Sequence, residues 1–407
     1  MIVFVHGING DAKAIENQAP NQGDDTDYTS LYPAVKQHYR VFNYYYYQDR
    51  GYQISSSKPP QCTSSAAATA QPTAYAAAVA IGVPTLPPPP DTSIYKSSVP
   101  INYPNSVADN QCDSQSDLGV DAYALNHFLL DDVLSNTPAG SHITIIAHSM
   151  GGAITRGWLA LIERNIEQCI KSAPNPTDPA TTVTCNNIYN PSVDSVIFLQ
   201  GAQQGSYLAN LGRYFASQGS SIINPVDWGI NQLITLLLPS ANFYRNRPAV
   251  NQLTPQSDWY NDVNTTDVPH GIQYFNFYSD IRTVLAEPLA SGYYLVSRPY
   301  DMGDLVMLPG TDNPHDTPLL GGAEFRPATG GYEWQLPGHQ LIVDSVQNDI
   351  SQATILYNNP ASHFAFTKNK NMDKPAVLTV PDCHTGKPTT PLSQILNILA
   401  NPNSACS

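Results

Sequence analysis

Between His142 and Leu161 the sequence reads HITIIAHSMGGAITRGWLAL, and its character changes at Ser149. The residues before the serine form a β-branched apolar run, the pattern of a strand buried on both faces. Two glycines and then helix-forming residues come after it. A serine therefore stands where a strand becomes a helix, with the small residues Ala147 and Gly151 two places to either side. At such a turn the two backbones pass so close that larger side chains would collide. The pattern predicts a tight turn that lifts the hydroxyl out of the sheet, beside the amides and positive dipole end of the helix. The competing reading is a serine that only caps the helix of a redox or nucleotide-binding fold, but the glycine-rich phosphate loop of the latter is missing.

The rest of the chain repeats the alternation. IVFVHG (Ile2 to Gly7), RVFNYYYY (Arg40 to Tyr47), DSVIFLQGA (Asp194 to Ala202) and IQYFNFY (Ile272 to Tyr278) read as strands. Helices are expected over Asp117 to Leu134 and from Met150 to about Ile170. Strands that are apolar nearly throughout, separated by helices, imply a doubly wound, mostly parallel α/β sheet covered on both faces. Three segments interrupt the pattern: an Ala/Pro-rich excursion over 55–110, an apolar helical cap over 207–256 and a Gly/Pro-rich stretch over 292–359. These insertions account for 407 residues as one domain, 1–407, without a second core.

Composition narrows the partners. With 42% apolar and 13% charged residues the chain is that of a folded globule, and a net charge of -14 without Lys/Arg clusters repels phosphate backbones, which argues against nucleic acid. Its longest apolar runs fall far short of the roughly 20 residues that span a bilayer. The six cysteines fall as sequential pairs without C-x-x-C spacing, predicting Cys62–Cys112, Cys169–Cys185 and Cys383–Cys406 disulfides and an oxidising, extracellular setting. Six buried thiols in a cytosolic protein are the alternative. MIVFVHG has no charged n-region ahead of a long apolar one, so an export signal is expected upstream of, or removed from, this start. The NTT at Asn264 is a glycosylation sequon that matters only in a eukaryotic host.

VFVHGING followed much later by AHSMGG resembles the α/β-hydrolase lipases, especially the minimal bacterial triacylglycerol lipases with their His-Gly loop and Ala-x-Ser-x-Gly elbow. RPAVNQLTPQSDWYNDVN (Arg247 to Asn264) is similar to a segment of larger lipases and of GPI inositol-deacylase-like hydrolases. The resemblance implies an α/β-hydrolase fold with cap or lid insertions and a secreted carboxylic ester hydrolase. Ser149 would be its nucleophile, and the main-chain amides of Ile8 and Met150 its oxyanion hole. His6 and His148, beside the oxyanion loop and the nucleophile, are poorly directed to act as base.

For the acid, the resemblance to a Gly-Asp-Gly-x-Val segment points to Asp304 in GDLVMLPG, where Leu305 replaces the second glycine; Asp280, directly after a strand, is the alternative. For the base, His363 in PASHFAF is similar to the lipases' Ser-His-x-x-Leu, with His384 as the alternative; His315 and His339 are weaker, lying in loops without an evident preceding strand. No cofactor and no metal are implied; the oxygen-rich loop Gly310 to Pro318 could hold calcium but reads better as a polar loop. A hydrophobic ester substrate, transient contact with a lipid interface and a monomeric state are expected. An acyltransferase on the same fold and a silent hydrolase fold serving as a binding module are the rivals.

Overall fold

The computed structural model describes residues 1–7, 31–44, 118–138, 140–203, 205–206, 249, 252–254, 257–280, 282–288, 294–296, 300–301, 332–337, 341–344, 380–382 and 385–401. In its main sheet β1 (Ile2–Val5) lies between β2 (Val41–Tyr44) and β3 (Ile143–His148). Beyond β3 follow β4 (Val193–Leu199), β5 (Gln273–Asp280) and β9 (Tyr332–Pro337), and every neighbouring pair is parallel. A smaller sheet is built on β6 (Arg282–Pro288), which pairs with β7 (Tyr294–Val296), β8 (Tyr300–Asp301) and β10 (Leu341–Asp344); β11 (Val380–Pro381) and β12 (Pro388–Thr389) form a short antiparallel pair. The stretch 292–359, read from sequence as an insertion, therefore also supplies β9, which pairs with β5 in the main sheet.

The central strands are apolar because water reaches neither face. All four residues of β1 and all six of β3 are buried, as is every residue of β4 except Asp194. Helix α1 (Leu31–Lys36) connects β1 to β2, and α2 (Leu118–His127) follows β2. Helix α3 (Met150–Ser172) follows β3, α4 (Pro179–Tyr189) comes before β4 and α5 (Asp258–Thr265) before β5; α6 (Pro391–Ala400) is the last. The chain moves one way from β1 to β2 and the other way from β2 through β5. Right-handed crossovers then put α1 on one face and α2, α3 and α5 on the other, and α2 and α5 both pack on α3. This is the doubly wound α/β fold that the alternation of strands and helices predicts. The direction of winding reverses between β1 and β3, where open sheets of this class hold their ligands beyond the carboxyl ends of the strands.

Helix α3 is buried almost all round from Met150 to Glu163, which makes it the central helix of its layer rather than an amphipathic surface one. The single helix expected over Asp117 to Leu134 instead widens into a π-helix at Phe128–Val133 and tightens to a 3-10 turn at Leu134–Asn136. Its buried Leu125, Leu129 and Val133 recur every four residues, a spacing between the α and π repeats that the widening keeps on the core side.

The predicted Cys169–Cys185 disulfide is formed, joining the last turns of α3 to α4 across 16 residues. In the chain-entropy account a loop of that length contributes roughly 3 kcal/mol. Helix α4 is started by Pro179 and by Asp178, whose carboxylate accepts from the Ala180 amide at 2.9 Å. The other two predicted pairs, Cys62–Cys112 and Cys383–Cys406, lie outside the described residues, as does the whole excursion 55–110.

Candidate active site

The carboxyl ends of β1 and β3 lie side by side, with Val5 level with Ala147, and bring the His6-Gly7 segment against Ser149. Ser149 occupies the N-cap position of α3 with φ 55 and ψ -128. A non-glycine residue in so sparsely populated a conformation costs about 1–3 kcal/mol and persists only where its surroundings impose it. Here they do. A Cβ on Gly151 would sit 2.3 Å from the Val5 carbonyl oxygen, and one on Gly152 would sit 2.6 Å from the Cα of Gly201. The first turn of α3 is thus wedged between the end of β1 and the turn after β4. Only a sharp reversal at Ser149 lets the chain pass.

The serine hydroxyl makes no capping bond to the helix it precedes. This sets it apart from an ordinary N-cap serine, whose oxygen accepts an amide of the first turn. Gly7 stands beside it: a Cβ there would lie 2.7 Å from the Ser149 Cβ and 3.1 Å from its Oγ, so only glycine leaves the hydroxyl this space. The Ser149 carbonyl accepts from two amides, those of Gly152 and Ala202, each at 2.9 Å. A serine on a strained strand-to-helix turn at the top of a parallel sheet has the geometry that a nucleophile elbow requires.

Two histidines border the elbow. His6 is buried, and its Nδ1 donates to the Gly7 carbonyl at 2.7 Å. Burial drives its pKa down to about 4 against the opposing pull of that bond, so the ring is neutral at pH 7. His148 is also buried, with its Nδ1 close to Gly7. Because the unfolded chain takes up a proton that folded His6 refuses, the stability involved is fully present above the ordinary value of 6.5 and is lost as pH falls toward 4. That loss approaches roughly 3 kcal/mol. Thermal unfolding of wild type and His6→Asn at pH 7 and pH 4.5 should show a smaller Tm decrease in the variant; equal decreases would mean that His6 does not titrate this way.

A further part of the site was not visible in the sequence. After β4 the chain turns at Gln200, with φ 48, and its amide donates to the Phe277 carbonyl at 2.7 Å. The buried Gln203 donates from Nε2 to Oδ1 of Asn276 on β5 at 2.7 Å, and Asn264 of α5 donates to the Gln203 carbonyl at 3.4 Å. The Tyr260 hydroxyl donates to the Ala202 carbonyl. The one local signal is a glycine, Gly201, directly after an apolar strand; the partners come from more than 50 residues away. The described residues of the Arg247 to Asn264 segment brace this turn, with Leu253 O accepting from the Ser206 amide at 2.7 Å and Ser257 capping α5 through the Tyr260 amide at 3.3 Å. Asn264, the residue of the sequon, is half-buried with its amide engaged inward.

Among the expected site residues, Met150 is the buried first residue of α3, where its amide stands at the positive end of the helix. Asp280 is the last residue of β5, level with Pro337 at the end of β9. Ile8, Asp304, His363, His384, His315, His339 and the loop 310–318 lie outside the described residues, as do Tyr207 to Pro248 of the expected cap. No group of His, Cys, Asp and Glu among the described residues could hold a metal ion, and no described helix is long and apolar enough to cross a membrane.

No protein-family model matches the sequence, and no curated protein does. Among solved structures the chain is similar to phospholipase PlaB from Legionella pneumophila, at 12% identity and a TM-score of 0.34 over 74% of this chain and 50% of that one. It is similar to the same phospholipase in complex with thio-NAD at 12% identity and a TM-score of 0.31, over 76% and 49%. The chain spans about half the length of that protein. A likeness this distant leaves the chemistry to be read from the residues of this chain.

Proposed function

We propose that this protein is a serine hydrolase of carboxylic esters, with Ser149 as the nucleophile. The observation that carries the reading is the Ser149 conformation: a strained φ of 55 at the sheet's switch point, on a residue whose hydroxyl does nothing for the helix it caps. In the reaction Ser149 Oγ attacks the ester carbonyl while a histidine takes its proton and passes it to the departing alcohol. The acyl-enzyme is then cleaved by water, activated by the same histidine. By the family resemblance, the main-chain amides of Met150 and Ile8 would be the donors to the charge that develops on the carbonyl oxygen.

For the acid and base, the family resemblance supports Asp304 and His363. The topology favours a second pairing. In this class of fold the order is serine, acid, histidine; Asp280 closes β5, and His339 comes two residues after the end of β9, the last strand of the main sheet. The preceding strand that His339 lacked in the sequence reading is β9.

The substrate we propose is a hydrophobic ester met at a lipid interface, on the strength of the apolar sequence of 207–256. The Cys169–Cys185 disulfide supports an extracellular, oxidising setting. Assaying p-nitrophenyl esters of graded acyl length, with and without added alcohol, tests the reading. Hydrolysis that increases from acetate toward longer chains is expected; acyl transfer outpacing hydrolysis would make the protein a transferase, and no turnover on any ester would leave a binding module.

A further inference from the structure

Ser149 holds its unfavourable backbone conformation through a carbonyl that accepts two amides, and only one of these belongs to its own helix. The other is Ala202 N–H, from the turn after β4. Ala202 is buried and held from its other side as well, because its carbonyl accepts the Tyr260 hydroxyl. The same carbonyl also accepts from the Gly205 amide, at 3.4 Å. Tyr260 is itself only 2% exposed, in edge-to-face contact with Trp259, whose ring approaches Gly157 of α3. Its helix is bolted to α3 farther along: Arg156 Nη2 donates to the Thr266 carbonyl at 2.6 Å, and Arg164 Nη2 donates to Asp262 Oδ1 at 2.9 Å and Thr266 Oγ1 at 2.7 Å. The nucleophile's helix therefore carries the helix whose tyrosine fixes the turn that fixes the nucleophile.

We propose that Tyr260 is a positioning residue for Ser149, acting through Ala202, and that its hydroxyl sets the geometry of attack without touching substrate. This rests on Ser149 being the nucleophile. Without the hydroxyl the buried Ala202 carbonyl keeps only the long Gly205 bond, the turn shifts to recover a better partner, and the Ala202–Ser149 bond loosens with it. A displacement of about 1 Å at the reacting atom is enough to cost on the order of 100-fold in rate.

The test compares two conservative variants. Tyr260→Phe removes this hydroxyl. Tyr274→Phe removes another buried tyrosine hydroxyl bonded to a main-chain carbonyl, that of Pro269 at 3.1 Å, at the opposite, amino-terminal end of β5. Both should lower Tm. Tyr260→Phe alone should lower kcat by roughly tenfold or more, with KM within about twofold and an equal slowing of Ser149 labelling by a fluorophosphonate. An unchanged kcat in Tyr260→Phe, an equal loss in Tyr274→Phe, or a Tyr260→Phe chain that does not fold even at low temperature would overturn the proposal, the last by making the hydroxyl a determinant of the fold. A wild type inert to both esters and the fluorophosphonate would instead bring down the nucleophile assignment, and this proposal with it.

Discussion

Ser149→Ala is expected to lower ester turnover by about 10,000-fold or more while moving Tm by only a few degrees. The two halves of that result have separate causes. The hydroxyl makes no cap bond to α3, so its removal costs the helix nothing. The backbone conformation is imposed by the packing of Gly151 and Gly152, which alanine at 149 leaves in place. What disappears is the atom that forms the acyl bond in the proposed reaction. Because triad members act as a unit, adding a variant of the true base or acid to Ser149→Ala should cost little more. The single variants His363→Ala, His339→Ala, Asp304→Asn and Asp280→Asn then decide the assignment, since only the residues in the triad should approach the Ser149→Ala rate. Substantial turnover in Ser149→Ala would sink the hydrolase reading.

Gly151→Ala should remove a large part of the protein's stability, although it adds one methyl group. The new Cβ would lie 2.3 Å from Val5 O and 2.6 Å from His6 O, main-chain atoms at and just beyond the end of β1, a strand packed between two others. Neither can yield as a flexible side chain would. A destabilisation of about 4 kcal/mol or more is expected, a large part of what a domain possesses. Gly140→Ala is the control: φ is +79 and nothing lies within 4 Å of the added atom, so only the left-handed backbone cost of about 1–2 kcal/mol applies. Urea denaturation of the two variants measures the difference. A Gly151→Ala midpoint equal to that of Gly140→Ala would show that the elbow is looser than its contacts imply.

Local features were legible in the sequence. Burial on both faces writes itself into β1, β3 and β4 as unbroken apolar runs, and the small residues around Ser149 mark the crowding there. The strand β9 was read only as part of an insertion because YEWQLP lacks the unbroken apolar run of the central strands and lies in a stretch rich in Gly and Pro. With it went the preceding strand whose apparent lack left His339 a weaker candidate. The bracing of the elbow was missed for a different reason. Tyr260 and Ala202 are 58 positions apart, and no periodicity in either segment announces that they meet. The end of α2 shows a third kind of limit, since its residues have helical spacing and the change of helix type is decided by what they pack against.

The elbow is shaped almost wholly by atoms that every amino acid shares. Carbonyl oxygens of Val5 and His6, the Gly201 backbone and amides of Gly152 and Ala202 are what constrain Ser149, and glycines at 7, 151 and 152 keep side chains out of the way. A mould of this kind carries no information about the acyl group. Lineages descending from such a chain can exchange the residues that meet the substrate while the reacting centre stays as it is, and a protein engineer can do the same. On the hydrolase reading, libraries that hold these backbone contacts, the acid and the base constant and randomise other residues beyond the strand ends would search specificity without searching catalysis.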